Sequence, residues 1–206
     1  MPKSVNEKLA IFGCGGHARS LADVALANGV GELIFVDSNA KPNEKQFGFN
    51  VVTELLGNDP MGFIVALGDN QERAVQFNLL KTEQKTVDSL IANDAYVGKN
   101  ATIAAGVFVG HGAHIGPNTT IGDNTIINTR CLIEHDCIIG KHSHISVNTT
   151  IAGKCRVGDF VMIGAGATVI DGVNICSYVI VGSGAVVVND IVEPGTYVGV
   201  PAKKIK

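Results

Sequence analysis

From residue 97 onward an aliphatic residue returns at every sixth position without a miss. The series runs Val97, Ile103, Val109, Ile115, Ile121, Ile127, Ile133, Ile139, Ile145, Ile151, Val157, Ile163, Val169, Ile175, Val181, Val187. The next position is usually small, as in Gly98, Ala104, Gly110, Gly116, Gly122, Gly140, Gly158, Gly164 and Gly182. A helix would repeat at about 3.6 residues and a simple strand at about 2. A six-residue period belongs instead to the hexapeptide form of the parallel β-helix. Each hexad then forms one short strand with its aliphatic side chain inward, and three hexads close a triangular coil. Successive coils stack about 4.8 Å apart, so the run predicts roughly five coils. Val and Ile suit such a column because β-branched side chains pack well on pleated surfaces. Glycine after them is expected to serve a corner where side-chain bulk or a negative φ would be penalised. The unbroken register leaves no place for a long inserted loop.

The first ninety residues follow another pattern. Lys8–Gly13 reads as a buried strand ending at glycine, followed by a helical pattern through Leu21, Val24, Ala25 and Leu26. Leu33–Asp37 and Phe63–Leu67 read as further strands, and a helix is expected around Arg73–Leu80. Strand–helix–strand alternation predicts a parallel sheet with right-handed crossovers. The fold class is therefore a small Rossmann-like α/β domain over residues 1–92, followed by a left-handed parallel β-helix over 93–206.

Gly13, Gly15 and Ala18 satisfy G-x-G-x-x-[GA] between strand and helix, with the acidic Asp37 about twenty residues on. Such a glycine turn lets phosphate approach backbone N–H groups at a helix N-terminus. An NAD-dependent oxidoreductase would use this fingerprint, but the second mononucleotide half is missing because the β-helix begins instead. One nucleotide at the carboxyl ends of the strands is the reading that remains, beside a plain tight turn at Gly15 and Gly16.

Composition narrows the class further. The chain has 206 residues, 46% hydrophobic and 17% charged, with 25 Gly and no Trp; this argues against disorder and for turn-rich β-structure. A net charge of −3 without a basic run implies no nucleic-acid partner. The polar Met1–Lys8 stretch has no apolar signal segment, and no apolar run reaches membrane-spanning length. Five scattered cysteines without CxxC spacing read as reduced thiols, mostly small buried side chains, in a cytoplasmic protein.

Ligands of a filled β-helix must bind outside it, so departures from the repeat carry the chemistry. Glu134 replaces the usual small residue and is followed by His135 and Asp136. An imidazole flanked by carboxylates suits a general base, because a carboxylate on one ring nitrogen holds the tautomer and stabilises the imidazolium. His111, His114 and His142 are expected to be solvated surface residues. His142 and His144 alternate along a strand and should point to opposite faces, which argues against a shared metal. No metal is expected.

These residues resemble, end to end, a family of bacterial sugar O- and N-acetyltransferases. It includes sialic acid O-acetyltransferases and N-acetyltransferases of nucleotide-linked 4-amino-4,6-dideoxy sugars. The resemblance rests on Gly13-Cys-Gly-Gly-His-Ala-Arg19, Ala66-Leu-Gly-Asp-Asn70, Glu134-His-Asp136, Ser143-His-Ile-Ser146 and Gly199-Val-Pro-Ala-Lys203. It implies acetyl-CoA as co-substrate, His135 as catalytic base with Glu134 and Asp136, and His144 and Gly153 near acetyl-CoA. It also implies that Gly13, Gly15, Gly16, His17, Asp37, Gly68, Asp69, Asn70 and Asn128 serve the acceptor, a UDP- or dTDP-linked amino sugar. Family members are homotrimers with sites between subunits. An O-acetyltransferase acting on a sialic acid is the alternative activity, and a noncatalytic β-helix scaffold the alternative class.

Overall fold

The computed structural model describes residues 7–55 and 61–206, so Met1–Asn6 of the polar N-terminal stretch lie outside the described residues. The chain opens with β1 (Lys8–Phe12), α1 (Gly16–Ala27) and β2 (Glu32–Val36). A hairpin follows, β3 (Lys45–Gln46) and β4 (Phe49–Val52), and then β5 (Gly62–Val65) and α2 (Asn70–Thr82). The sheet order is β3-β4-β2-β1-β5, with β4, β2, β1 and β5 parallel and β3 antiparallel at the edge. Helix α1 buries Ala18, Leu21, Ala22, Val24 and Ala25. Helix α2 starts on Asp69, whose carboxylate accepts the N–H groups of Gln71 and Glu72, both at 2.9 Å, as an N-cap should. The hairpin was not anticipated: its tip is Phe47-Gly48, both at positive φ, rather than a recognisable Asn-Gly pair.

The β-helix begins with β6 (Leu90–Ile91), just ahead of the expected boundary. Short strands β7 to β22 then follow at six-residue intervals, from Tyr96–Val97 to Val186–Val187. They stack in parallel on three faces of the coil, six, five and five strands to a face, and β6 together with two strands at the end of the chain extends the last of these into an eight-stranded sheet. Every aliphatic residue of the periodic series from Val109 to Val187 is buried.

The structure adds a second inward column two residues before each aliphatic position: Val107, Ala113, Thr119, Thr125, Cys131, Cys137, Ser143, Thr149, Cys155, Val161 and so on, all essentially inaccessible. Its polar members bond between coils. Thr125 Oγ1 donates to the Gly140 carbonyl at 2.8 Å and accepts from the Ser143 N–H at 3.2 Å. Ser143 Oγ repeats this with Gly158 and Val161, so these buried hydroxyls are satisfied. Cys131, Cys137 and Cys155 occupy the same column, as small buried side chains, whereas Cys14 and Cys176 are half-buried.

Glycine's role in the repeat is corrected. The left-handed backbone falls three residues after each aliphatic, at Asn118, Asn124, Arg130, Asp136, His142 and their equivalents, where glycine is often absent. The glycine directly after the aliphatic is instead needed for close approach. A Cβ on Gly116 would stand 2.6 Å from backbone atoms of Glu134 and His135 in the next coil.

The end of the chain covers the open end of the stack. Ile191 bridges to Ile175, residues 199–202 bond both sides of Val186, and β23 (Gly195–Val198) adds to the eight-stranded sheet. Strand β24 (Lys203–Lys204) then runs antiparallel along β23. No helix among the described residues is long and apolar enough to cross a membrane.

Candidate active site

His135 lies on the turn from β13 (Leu132–Ile133), in the six-stranded sheet, to β14 (Ile138–Ile139), in the five-stranded one. Its Nδ1 is 2.8 Å from Asp136 Oδ2. Asp136 takes the left-handed position of the turn, φ 60°, which aims its carboxylate back along the ring. The Asn118 amide of the coil below donates to the other carboxylate oxygen at 3.1 Å. His135 foremost, then Asn118, hold the Asp136 carboxyl below its ordinary range. A carboxylate on Nδ1 fixes the proton there and leaves Nε2 free to accept one. The ring is 44% exposed, as a base that must meet a substrate requires. The imidazole is not set between two carboxylates as expected: among the described residues its hydrogen bond and ion pair are with Asp136 and none is with Glu134.

Gly153 sits one coil above His135. A Cβ there would lie 2.7 Å from His135 Cε1 and Nε2 and 3.0 Å from Asp171 Oδ1. The missing side chain makes room for the imidazole, a role the sequence reading had not given it.

A second group of expected residues lies on another face. His144 stands on β15 (His144–Ile145) of the eight-stranded sheet, in register with Ile126. Its Nε2 is 3.2 Å from Asn128 Nδ2. Asn128 Oδ1 accepts the Thr129 N–H at 2.8 Å, which turns the amide NH₂ toward His144. Burial, then the charge of Arg73, push His144 down to about 4. The ring is therefore neutral, with its Nε2 lone pair at Asn128. His17, on the first turn of α1, packs edge-on against Phe108 with centroids 5.2 Å apart and lies 6.1 Å from His144. Its buried Nε2 has no hydrogen-bond partner. Burial, then His144 and Arg73, push it down to about 3.

The glycine turn occupies the carboxyl ends of the α/β strands. Gly13, at φ +114°, is pressed against Ala66 and Leu67, whereas Gly15 and Gly16 face open space. Gly15 caps α1 without any side-chain hydrogen bond, leaving first-turn N–H groups for a ligand. Asp37 accepts the N–H of Cys14 at 3.1 Å and of Asn39 at 2.9 Å. A cleft of about 960 Å³ opens beside it, with Gly13, Asp37 and Gln71 in its wall.

The Gly68–Asn70 turn is held by Arg73, which sequence reading missed because an arginine in a helix reads as a solvated charge. Arg73 is 1% exposed. Its Nε donates to the Asn124 carbonyl at 3.0 Å, Nη1 to the carbonyls of Leu67, Gly68 and Asp69, and Nη2 to Asn70 Oδ1 at 2.7 Å and the carbonyls of His142 and Ser143. One guanidinium thus joins the two domains. Asp69 is the helix cap, and Asn70 Nδ2 reaches the Val161 carbonyl at 3.3 Å.

A further histidine corrects the sequence reading. His142 is 5% exposed rather than solvated, because α2 and the neighbouring coil cover it. It bonds Asn124 at 2.9 Å and packs between Phe77 and Phe160. His111 stays at the surface but pairs with Asp94 at 2.9 Å and Asp23 at 3.4 Å. His114 stacks on Tyr96, with centroids 4.9 Å apart.

Residues 8–80 match the PglD N-terminal domain, and residues 118–153 match the bacterial transferase hexapeptide, six repeats. The fold superposes on the acetyltransferase domain of PglB from Neisseria gonorrhoeae with TM-score 0.91 and 32% identity, over 97% of this chain and 100% of that one. That domain has also been seen in complex with acetyl coenzyme A. A histidine-to-asparagine mutant of perosamine N-acetyltransferase from Caulobacter crescentus, in complex with CoA and GDP-perosamine, gives TM-score 0.90 and 32% identity over 97% of both chains. WeeI from Acinetobacter baumannii, at 17% identity, shares the fold. With this identity extending over nearly the whole length, the chain belongs to the hexapeptide-repeat family of sugar acetyltransferases.

Proposed function

We propose that the protein transfers the acetyl group of acetyl-CoA to the 4-amino group of a nucleotide-linked 4-amino-4,6-dideoxy sugar, with His135 as general base. The observation that carries this is the His135–Asp136 pair, exposed on a coil edge beside a glycine that leaves space for the ring. Nε2 of His135 takes a proton from the amine as nitrogen bonds to the thioester carbonyl carbon. The C–S bond then breaks, the His135 imidazolium returns the proton it took from nitrogen to the sulfur, and the sulfur leaves as the CoA thiol. Asp136 stabilises the imidazolium between these steps. Backbone N–H groups steady the oxyanion, and His144 orients Asn128 at the acceptor. The glycine turn and Asp37 support a nucleotide beside the cleft. The resemblance points to UDP or dTDP, whereas the Caulobacter relative holds a GDP-sugar.

We further assign the working unit to a homotrimer. His135 and the His144–Asn128–His17 group occupy different faces of one coil, so one complete site needs two copies. Acetyl-CoA supply places the reaction in the cytoplasm. Thiol release from acetyl-CoA with UDP-, dTDP- and GDP-linked 4-amino sugars tests the whole reading. At least one acceptor should turn over, and His135→Ala should lower kcat by about 10²–10⁴-fold in a folded protein. Turnover of a free sialic acid alone, indifferent to added nucleotide, would establish the O-acetyltransferase activity instead.

A further inference from the structure

We propose that Asn118 is a positioning residue for the catalytic pair, its side-chain amide fixing the plane of the Asp136 carboxylate on which His135 rests. This builds on the reading of His135 as general base.

Three side chains stand in line on one corner of the coil. Asn100, Asn118 and Asp136 are 18 residues apart, so each lies one coil, about 4.8 Å, above the last. All three take the left-handed backbone, at φ 62°, 58° and 60°, which sends their side chains out in one direction. Backbone bonds tie the rungs together: the Asn118 N–H donates to the Lys99 carbonyl and the Asp136 N–H to that of Pro117, both at 3.0 Å. Asn100 Nδ2 donates to Asn118 Oδ1 at 3.2 Å, and Asn118 Nδ2 to Asp136 Oδ1 at 3.1 Å. The other carboxylate oxygen, Oδ2, meets His135 Nδ1 at 2.8 Å.

The direction of the line follows from the group at its top. An ionised carboxylate only accepts, so Asn118 must turn its NH₂ to Asp136 and leave its oxygen facing the coil below. Asn100 meets that oxygen with its own NH₂. Reversing either amide would set acceptor against acceptor or donor against donor. With Oδ1 held from below, the carboxylate cannot rotate freely, and Oδ2 stays against Nδ1. The rung above is Lys154, also at φ 60°. Its charge favours the Asp136 anion but, as a point charge, does not set the carboxylate's plane. The competing explanation for Asn118 is that a left-handed turn tolerates asparagine. Glycine separates the two, since it adopts that backbone freely and removes only the amide.

The test compares the full chain with N118G, by steady-state kinetics and by a long-range ¹⁵N–¹H spectrum of the His135 ring. N118G should lower kcat about three- to tenfold, the rate equivalent of one net hydrogen bond, with both KM values within about twofold. The wild-type ring should carry its proton on Nδ1, and N118G should lose part of that preference. An unchanged spectrum in N118G, whatever kcat does, overturns the proposal. A changed spectrum with wild-type kcat overturns instead the reading of His135 as base, which H135A checks directly. N100G should cost about twofold alone and nothing further in N118G; a cost that persists there, or no cost at all, overturns the part given to Asn100. Should N118G fail to fold, N118D keeps the shape and the turn while setting a carboxylate against Asp136. The charges already around the ring are Asp136, Glu134 beside it, and Lys154 and Asp171 from the coils above. One more negative charge favours the imidazolium, so the acidic limb of kcat/KM should move up by about half a pH unit. An unmoved limb overturns the proposal.

Discussion

Replacing Gly153 by alanine isolates the geometry of the base. The glycine has no left-handed φ, so alanine adds no backbone strain, and the methyl meets His135 Cε1 and Nε2 at 2.7 Å. Ordinary contact starts at 3.4 Å, so the ring has to retreat by about 0.7 Å, 3.4 less 2.7. A displacement of that order at a reacting group costs up to about 10²-fold in rate, equivalent to about 2.7 kcal/mol of activation free energy. Stability should barely change, because the ring is half-exposed and can swing toward solvent; Tm should move by about 2 °C or less. G116A is the control. Its methyl meets the Glu134 and His135 backbone at 2.6 Å, which cannot move aside, and overpacking of that kind costs about 1–3 kcal/mol. The assay is steady-state kcat and KM for both substrates together with thermal unfolding. G153A with wild-type kcat would refute the reasoning. So would a defect confined to KM for acetyl-CoA, which would make Gly153 a backbone contact and nothing more.

His111 bridges α1 and the coil through Asp23 and Asp94, and its hydrogen bond to Asp94, above all, raises its pKa. Its stabilising contribution is therefore complete below the unfolded value near 6.5 and is lost as pH rises through the raised folded value. In H111Q the Tm-versus-pH curve should lose that decline, which for an exposed pair amounts to about 1–2 °C; an unchanged curve would dismiss the bridge. Static light scattering should give about three times the 21.5 kDa chain mass, and a fully active monomer would contradict a site shared between copies.

The β-helix was legible because one packing column accepts a single kind of residue at a fixed interval, and all sixteen strands β7–β22 appear where Val97 to Val187 place them. The second column was not, because Val, Ala, Thr, Ser and Cys all fit it once their hydroxyls and thiols find carbonyls on the next coil. His135 and Asp136 were legible as neighbours in sequence that remain neighbours in space. Glu134 misled for the same reason: adjacency along the chain says nothing of direction on a tight turn. Arg73 and His142 could not be read at all, since their burial comes from the docking of two domains whose contacting residues lie 51 to 70 positions apart. Local pattern carries no trace of such contacts. The signal that could have raised suspicion is Arg73 itself, on the face of α2 that also carries Phe77 and Leu80.

A stack of identical rungs has no inherent length. Each finished coil offers a row of unsatisfied amides and carbonyls on which another could be laid, whether from the same molecule or a different one. The residues after Val187 act as a stop codon written in three dimensions. Ile191, the 199–202 segment and the β23–β24 pair each occupy one of the three growing edges. The last strand runs against the direction of all those below it and carries two lysines outward. A truncation that removed this terminator would expose a template for end-to-end polymerisation while leaving the coils beneath it intact.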